Sequence, residues 1–396
     1  MRSRDVSPPA LVPWRLRFVG LVLLALLLLV LWRIVSLQVL DTERGYRFLQ
    51  DQGAARTLRT ETIPAHRGIV SDRHGNPLAV STPVQSLWAN PRELVDELQD
   101  WRPLAQRLDM SATELQQLVT ANSERSFLYL RRRVAPAEAE RVLALGLRGV
   151  YAQQEYQRFY PAAEVASQLV GVTDIDDRGQ EGIELAYDDW LRGEDGAKQV
   201  LKDRYGAIIR DLKSLRPARP GRDLALSIDL RLQYLAYREL KRAVRENEAV
   251  SGSMVLLDVH SGEVLAIVNQ PSYNPNRRSA LQPAMMRNRA ITDLYEPGST
   301  VKPLTVLAAL ASGQYGVDST IDTSPGYLRV GRKTFVDHRD YGVLDMTGLL
   351  MHSSQVGVTK IALSLDEQAV RDLFAGAGLG ESTATGFPGE SLGVLP

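Results

Sequence analysis

The 396-residue chain contains no cysteine, which excludes thiol nucleophiles, disulfide frameworks, cysteine-ligated zinc and iron–sulfur clusters, and leaves the redox compartment open. Histidine is sparse, at 66, 74, 260, 338 and 352 only. No His-Glu-x-x-His or comparable ligand spacing occurs, so neither a metal nor a cofactor is expected. Asp174, Asp176 and Asp177 resemble a calcium loop only superficially, because Arg178 and the distance to Glu181 break the EF-hand pattern. A surplus of either charge is missing too. Lys and Arg number 47 and so do Asp and Glu, whereas a nucleic-acid binder usually carries a basic excess. Lysine is scarce, with seven residues among the 47 cations, so a lysine in a chemically useful place is not easily accidental. What is present is the composition of a folded protein, 44% hydrophobic and 24% charged, long enough for about two to three domains.

One long hydrophobic run stands out. Residues 18–32 (FVGLVLLALLLLVLW) carry no charge, and apolar residues continue beyond Arg33 to Leu40. About 20 apolar residues cross a bilayer core, and an arginine near one end can snorkel to the headgroups. Arg2, Arg4, Arg15 and Arg17 precede the run. The positive-inside rule therefore places 1–17 in the cytoplasm, 18–40 in the membrane and the rest outside. No small-x-small cleavage site follows, which favours a retained anchor over a signal peptide. A buried soluble helix would show a polar face, and this run has none.

Residues 41–60 are expected to form a polar, helical stalk. From 61 to 220, strands at 63–71 and 78–88 alternate with helical stretches at 96–109, 111–121, 136–145 and 182–192, then a hairpin at 198–212 turning at Tyr205-Gly206. Two prolines and a glycine at 215–222 predict a linker between a pedestal at 41–220 and a second domain at 221–396. There, 223–229 reads as a strand and 230–247 as a long helix. Segments 252–259 and 263–269 form a hairpin around His260-Ser261-Gly262, apolar enough for a central pair. Hairpin-linked strands followed by helices give the class α+β.

The chemistry concentrates at 295–313, YEPGSTVKPLTVLAALASG. Pro297-Gly298 makes a turn, and the apolar run that follows is a buried helix stopped by Gly313. Ser299 opens that helix, and Lys302 lies about one turn on, within reach of its hydroxyl. Among all the serines, only Ser299 has a lysine three residues later. A serine hydroxyl is a poor nucleophile without a base, and a lysine losing hydration at the start of an apolar helix moves toward base duty. The helix N-terminus helps to bind a developing oxyanion.

EPGSTVKP stands among further motifs: RGIVSDRHGNPLAVS (67–81), RFYP (158–161), GIELAYDDWLRGEDG (182–196), GEVLAIVNQPSYNPN (262–276), MRNRAITDLY (286–295) and GFPGES (386–391). Together they resemble the class B penicillin-binding proteins, monofunctional D,D-transpeptidases of the cell-division type, from about residue 15 to the last. The resemblance implies a single anchor in the inner membrane, a dimerisation-type pedestal, and a transpeptidase domain of antiparallel sheet with helices, like serine β-lactamases. It implies that Ser299 attacks the D-Ala–D-Ala carbonyl of a peptidoglycan stem peptide and that an amine of a neighbouring stem takes the acyl group. β-Lactams would acylate the same serine. Lys302 is then the base, with the Ser299 backbone N–H as one oxyanion donor.

By the same resemblance Ser353, in HSSQVGVTK (352–360), is the proton relay, and Gln355 stands where the family has asparagine, one methylene longer. A purely local reading makes Ser353-Ser354 a helix cap. Implied partners are a membrane glycan polymerase and other division proteins; a non-catalytic role in that complex is the alternative. The third family motif, Lys-[Ser/Thr]-Gly, begins at none of the seven lysines, and His260-Ser261-Gly262 is read as a turn. The chain is therefore expected to stop short of the family's domain, to expose apolar core faces and to be weak as an enzyme alone. Asp337-His338-Arg339-Asp340 reads as a solvated loop between strands.

Overall fold

The computed structural model describes residues 13–38, 58–202 and 208–395, and is α+β as expected. Pro13–Gln38 is one continuous helix, long and apolar enough to cross a bilayer, with its leucines and valines as far as Val35 exposed. The remaining described residues fall into two compact units built from non-adjacent stretches: 58–66, 83–157 and 193–220 in one, 67–82, 158–192 and 221–396 in the other. The units do not follow a single cut at 220. Segments 67–82 and 158–192 carry buried side chains whose partners lie in the second unit, and burial decides where a segment folds.

In the first unit, Leu58–Ile63 pairs antiparallel with Gly196–Lys202, which pairs with Ile208–Arg216. The hairpin expected at 198–212 is present, and its Tyr205-Gly206 turn lies outside the described residues, as does 41–57 of the expected stalk. Residues 58–60 are strand, not helix. Strand residues 85–89 pair with Leu128–Val134, and the core gathers Leu87, Leu94, Leu104, Leu115, Val119 and Val142 under short helices. The single helix expected at 96–109 is broken into Pro91–Glu97 and Arg102–Arg107. Asp100 accepts a hydrogen bond from the Arg102 amide, and Pro103 has no N–H with which to continue a helix from upstream. The predicted linker is also ordered: its start belongs to the strand ending at Arg216, and Arg219 bridges Glu194.

In the second unit, Leu230–Glu246 matches the expected helix, and the Asp229 carboxylate caps it by accepting from the Arg231 amide. Buried Gln233 ties this helix to the hairpin, donating to the Ile267 carbonyl and accepting from the Ile267 amide. Among the described residues that hairpin, Gly252–Leu257 with Val264–Gln270, forms a two-stranded sheet. Ala266 and Val268 are buried against the helix, while Met254, Val255, Leu256 and Leu257 are exposed. The strand expected at 223–229 shrinks to Leu224–Ala225, parallel to Val70–Ser71. The helical stretch 182–192 is interrupted at Tyr187.

A separate core holds the region of interest. Val306 and Ala309 of the helix Lys302–Ala311 pack with Leu349 of Met346–Met351 and Ile361 of Gln355–Ser364. A Cβ on Gly357 would lie 2.0 Å from a Leu349 methyl, so the absent side chain lets the last two helices approach.

Candidate active site

Ser299 lies in a 3-10 turn, Gly298–Val301, and is exposed; the α-helix proper begins at Lys302, with Pro303 in its first turn. Gly298 has φ 63°, a left-handed conformation that suits glycine, and it turns the chain into the helix. Thr300 donates through its hydroxyl to the Pro297 carbonyl at 2.6 Å, which tightens the same turn.

The Lys302 amine reaches a different hydroxyl from the one its spacing suggests. Its Nζ donates to Ser353 Oγ at 3.1 Å and also to the Ser353 carbonyl, across 51 residues of sequence. No hydrogen bond joins it to Ser299 among the described residues. Half-burial of the side chain removes water from the amine and pushes its pKa below the ordinary lysine value, against the opposing pull of the Asp337 carboxylate. A lysine so placed holds a larger neutral fraction near physiological pH than a free one.

Ser353 is in the left-handed region, at φ 52°, between the end of the helix Met346–Met351 and the start of Gln355–Ser364. Ser354, the next residue, is the helix cap, accepting from the Gly357 amide at 2.9 Å. The two readings of the serine pair thus fall on adjacent residues, the first facing Lys302 and the second capping. Gln355 is the first helical residue, with an exposed side chain.

Asp337 is not in a solvated loop. Its side chain is buried, its Oδ2 accepts from Ser354 Oγ at 2.5 Å, and its Oδ1 accepts from the amides of Gln355 at 2.6 Å and Val356 at 3.1 Å. Three donors offset the cost of burying a carboxylate, and two of them are the otherwise unpaired N–H groups of a helix start. Asp337 follows the strand Lys333–Val336, and the charged residues beside it, His338, Arg339 and Asp340, are exposed. Only the proximity of the strand end to a distant helix start reveals its role, and no local pattern signals that. Beside it, the Tyr341 ring stacks on His352 at 4.6 Å, next in sequence to Ser353.

His260-Ser261-Gly262 is the hairpin turn, with Asp258 accepting from the amides of His260 and Ser261. Asp174 likewise accepts from its own loop, at the amides of Asp176 and Arg178. Among the described residues, no group of three or more histidines and carboxylates is arranged to hold a metal ion.

A serine at a turn before an apolar helix, a half-desolvated lysine one turn on, and a second serine on that lysine are the kinds of group that serine acyl transfer with a lysine as base requires. The family follows from comparison. The profile described as penicillin binding protein transpeptidase domain matches residues 252–396, and that of the penicillin-binding protein dimerisation domain matches 62–226. A probable peptidoglycan D,D-transpeptidase, PbpC, of Pseudomonas aeruginosa is 45% identical over 382 residues, which is 96% of this chain and 67% of that protein. The peptidoglycan D,D-transpeptidase FtsI of Escherichia coli K12 is 43% identical over 391 residues, 97% of this chain and 65% of its own length. The chain thus spans about two thirds of the length of these relatives.

Among solved structures, a peptidoglycan synthetase from Bifidobacterium adolescentis superposes with a TM-score of 0.62 at 26% identity, covering 86% of this chain and 66% of that one. Penicillin-binding protein 2 of Helicobacter pylori, solved in complex with MreC, gives 0.66 at 22% identity, with 86% and 69% coverage, and shares the fold. The chain belongs to the penicillin-binding protein family, among relatives named as peptidoglycan D,D-transpeptidases.

Proposed function

We propose that this protein is a serine D,D-transpeptidase that cross-links peptidoglycan stem peptides during cell division. The observation that carries the reading is the Lys302–Ser353 pair, 3.1 Å between Nζ and Oγ, formed between segments 51 residues apart and one turn from Ser299. In the proposed cycle Ser299 Oγ attacks the carbonyl between the two terminal D-alanines while Lys302, neutral, takes its proton. The proton passes through Ser353 to the departing D-Ala amine, leaving an acyl ester on Ser299. An amine of a second stem peptide then attacks the ester, giving up its proton by the reverse route, and the cross-link leaves as Ser299 regains its hydrogen. The helix start at Lys302 and the Ser299 amide favour the negative oxygen of the tetrahedral intermediate. Gln355 takes the place of the family's asparagine beside the substrate amide. A β-lactam would enter the same cycle and stop at the ester.

The helix Pro13–Gln38 then serves as a single-pass anchor in the inner membrane, with Arg15 and Arg17 at its cytoplasmic end and both compact units outside. The regions of that reading along the chain are 1–17 cytoplasmic, 18–40 in the membrane, 41–220 pedestal and 221–396 transpeptidase, with segments 67–82 and 158–192 of the pedestal folding in the same compact unit as the last region. Partners are the glycan-polymerising and other proteins of the division complex, a reading supported by the relative named FtsI and by the MreC complex of the H. pylori neighbour. The test is covalent labelling of the full-length, membrane-inserted protein with a fluorescent penicillin. Labelling that disappears with Ser299→Ala and leaves membrane insertion unchanged is expected, and labelling that persists would move the nucleophile elsewhere.

A further inference from the structure

From the lysine outward, residues touch in an unbroken line. Ser353 holds the Lys302 amine, and His352 is the residue before it. The His352 ring stacks on Tyr341 at 4.6 Å, 15° from parallel, and the Arg339 guanidinium lies over the same Tyr341 ring at 5.1 Å. Both rings are half-buried, whereas Arg339 is exposed. Among the described residues the Arg339 guanidinium donates no hydrogen bond and has no carboxylate within ion-pair distance. The neighbouring carboxylates are engaged elsewhere: Asp337 accepts from Ser354, Gln355 and Val356, and Asp340 accepts from the Ser324 hydroxyl at 3.0 Å and the Gly342 amide at 2.9 Å. An aromatic face holds a cation by its charge, so an arginine placed there still offers a planar fork of N–H donors suited to a carboxylate.

We propose that Arg339, carried on the Tyr341 ring, is a specificity-determining residue that pairs with a carboxylate of the acyl-donor peptide, on the N-terminal side of the bond to be cut. The proposal rests on the reading of Ser299, Lys302 and Ser353 as the reacting groups, and it names a feature of their substrate. The reach fits. Two stacked rings separate the guanidinium from Ser353, and an extended peptide advances about 3.3–3.6 Å per residue. A side chain one or two residues ahead of the D-Ala–D-Ala pair has the length to cover that interval. The charge fits as well, because the cation has no counter-charge in the protein and its exposed position leaves it open to one from outside. A peptide with an amide in place of the carboxylate forfeits an ionic hydrogen bond, and exposure to water and salt limits the effect to about 10-fold.

Two measurements on the full-length protein in detergent decide it. Each uses pairs of peptides that end in D-Ala–D-Ala, carry a fluorophore at the N-terminus and differ only by glutamate or glutamine at one of the two preceding positions. The first is kcat/KM for D-alanine release. The native protein should favour the glutamate peptide about 10-fold at one of those positions, less than about 3-fold in about 0.5 M salt, and not at all in Arg339→Gln. Tyr341→Phe, which keeps the ring, should keep the preference. A merely structural role for Arg339 would lower the rates for both peptides and leave their ratio native, and that result would overturn the proposal, as would the absence of any preference in the native protein. The second is the Kd of each peptide for Ser299→Ala, read by fluorescence anisotropy, which needs no turnover. The glutamate peptide should bind about 10-fold more tightly, and the difference should vanish when Arg339→Gln is added. Equal binding to Ser299→Ala would refute the subsite whatever the rates show. If the peptides bind with this preference but the native protein releases no D-alanine, or Ser299→Ala still releases it, the catalytic reading fails and the carboxylate subsite stands.

Discussion

Two clusters of charge occupy the second unit, and they are built to opposite ends. Around Arg67, every charge meets its opposite: Nε lies 2.7 Å from Glu184, Nη1 lies 2.7 Å from Asp188, and Arg158 Nε takes the other Glu184 oxygen at 2.6 Å. Burial alone would weaken the Arg67 cation, but the Glu184 and Asp188 carboxylates outweigh it and hold its pKa above the ordinary value. At the other cluster, Lys302 is half-buried and hydrogen-bonds a neutral serine in place of a carboxylate, and its pKa falls. A closed set of buried pairs fixes segments of chain, whereas a cation deprived of water and given a neutral partner is prepared to lose its proton.

The sharpest way to break this contrast is at the proposed nucleophile. Ser299→Ala should abolish penicillin labelling while the urea-unfolding midpoint stays near native, because the side chain is exposed. Next is Lys302→Met, which keeps the length and loses the amine. Acylation should fall about 100- to 10,000-fold, measured by stopped-flow labelling, with folding retained.

Glu184→Gln should show the reverse pattern. It leaves Arg67 and Arg158 short of a buried counter-charge and should cost about 3–5 kcal/mol of stability in a urea titration, with native acylation in whatever fraction stays folded. A pH series adds the sign. Lys302 must be neutral to accept a proton, so acylation should rise with pH through the amine's pKa, and this limb should lie below the ordinary lysine value of about 10.4. A limb at or above that value would remove the desolvated base from the reading. The smallest effect is expected at Gln355→Asn, an exposed position, where a change of only a few-fold in acylation, in either direction, should accompany native stability.

Much of the site is legible in the order of residues. The position of Lys302 one turn after Ser299 follows from helical spacing, and the helix Leu230–Glu246 and the hairpin after it follow from periodicity. What local pattern misses are effects of distant partners. Asp337 reads as solvated because its neighbours are charged, yet a helix start 18 residues on claims its oxygens. The helix expected at 96–109 breaks because Asp100 satisfies a backbone amide that the helical pattern assigns to the ladder.

By itself the amino-acid sequence determined which groups are available: an uncharged run near the N-terminus, a serine followed by a lysine one turn later, and no thiol or metal-ligand spacing. Only the tertiary structure decided which hydroxyl the lysine meets, which of two adjacent serines caps a helix, and that the carboxylate of an aspartate after a strand accepts from that capping serine. The physical reason is range. Helical period and turn chemistry act over three or four residues, whereas desolvation and the satisfaction of buried hydrogen-bonding groups depend on whatever the fold brings within a few ångströms.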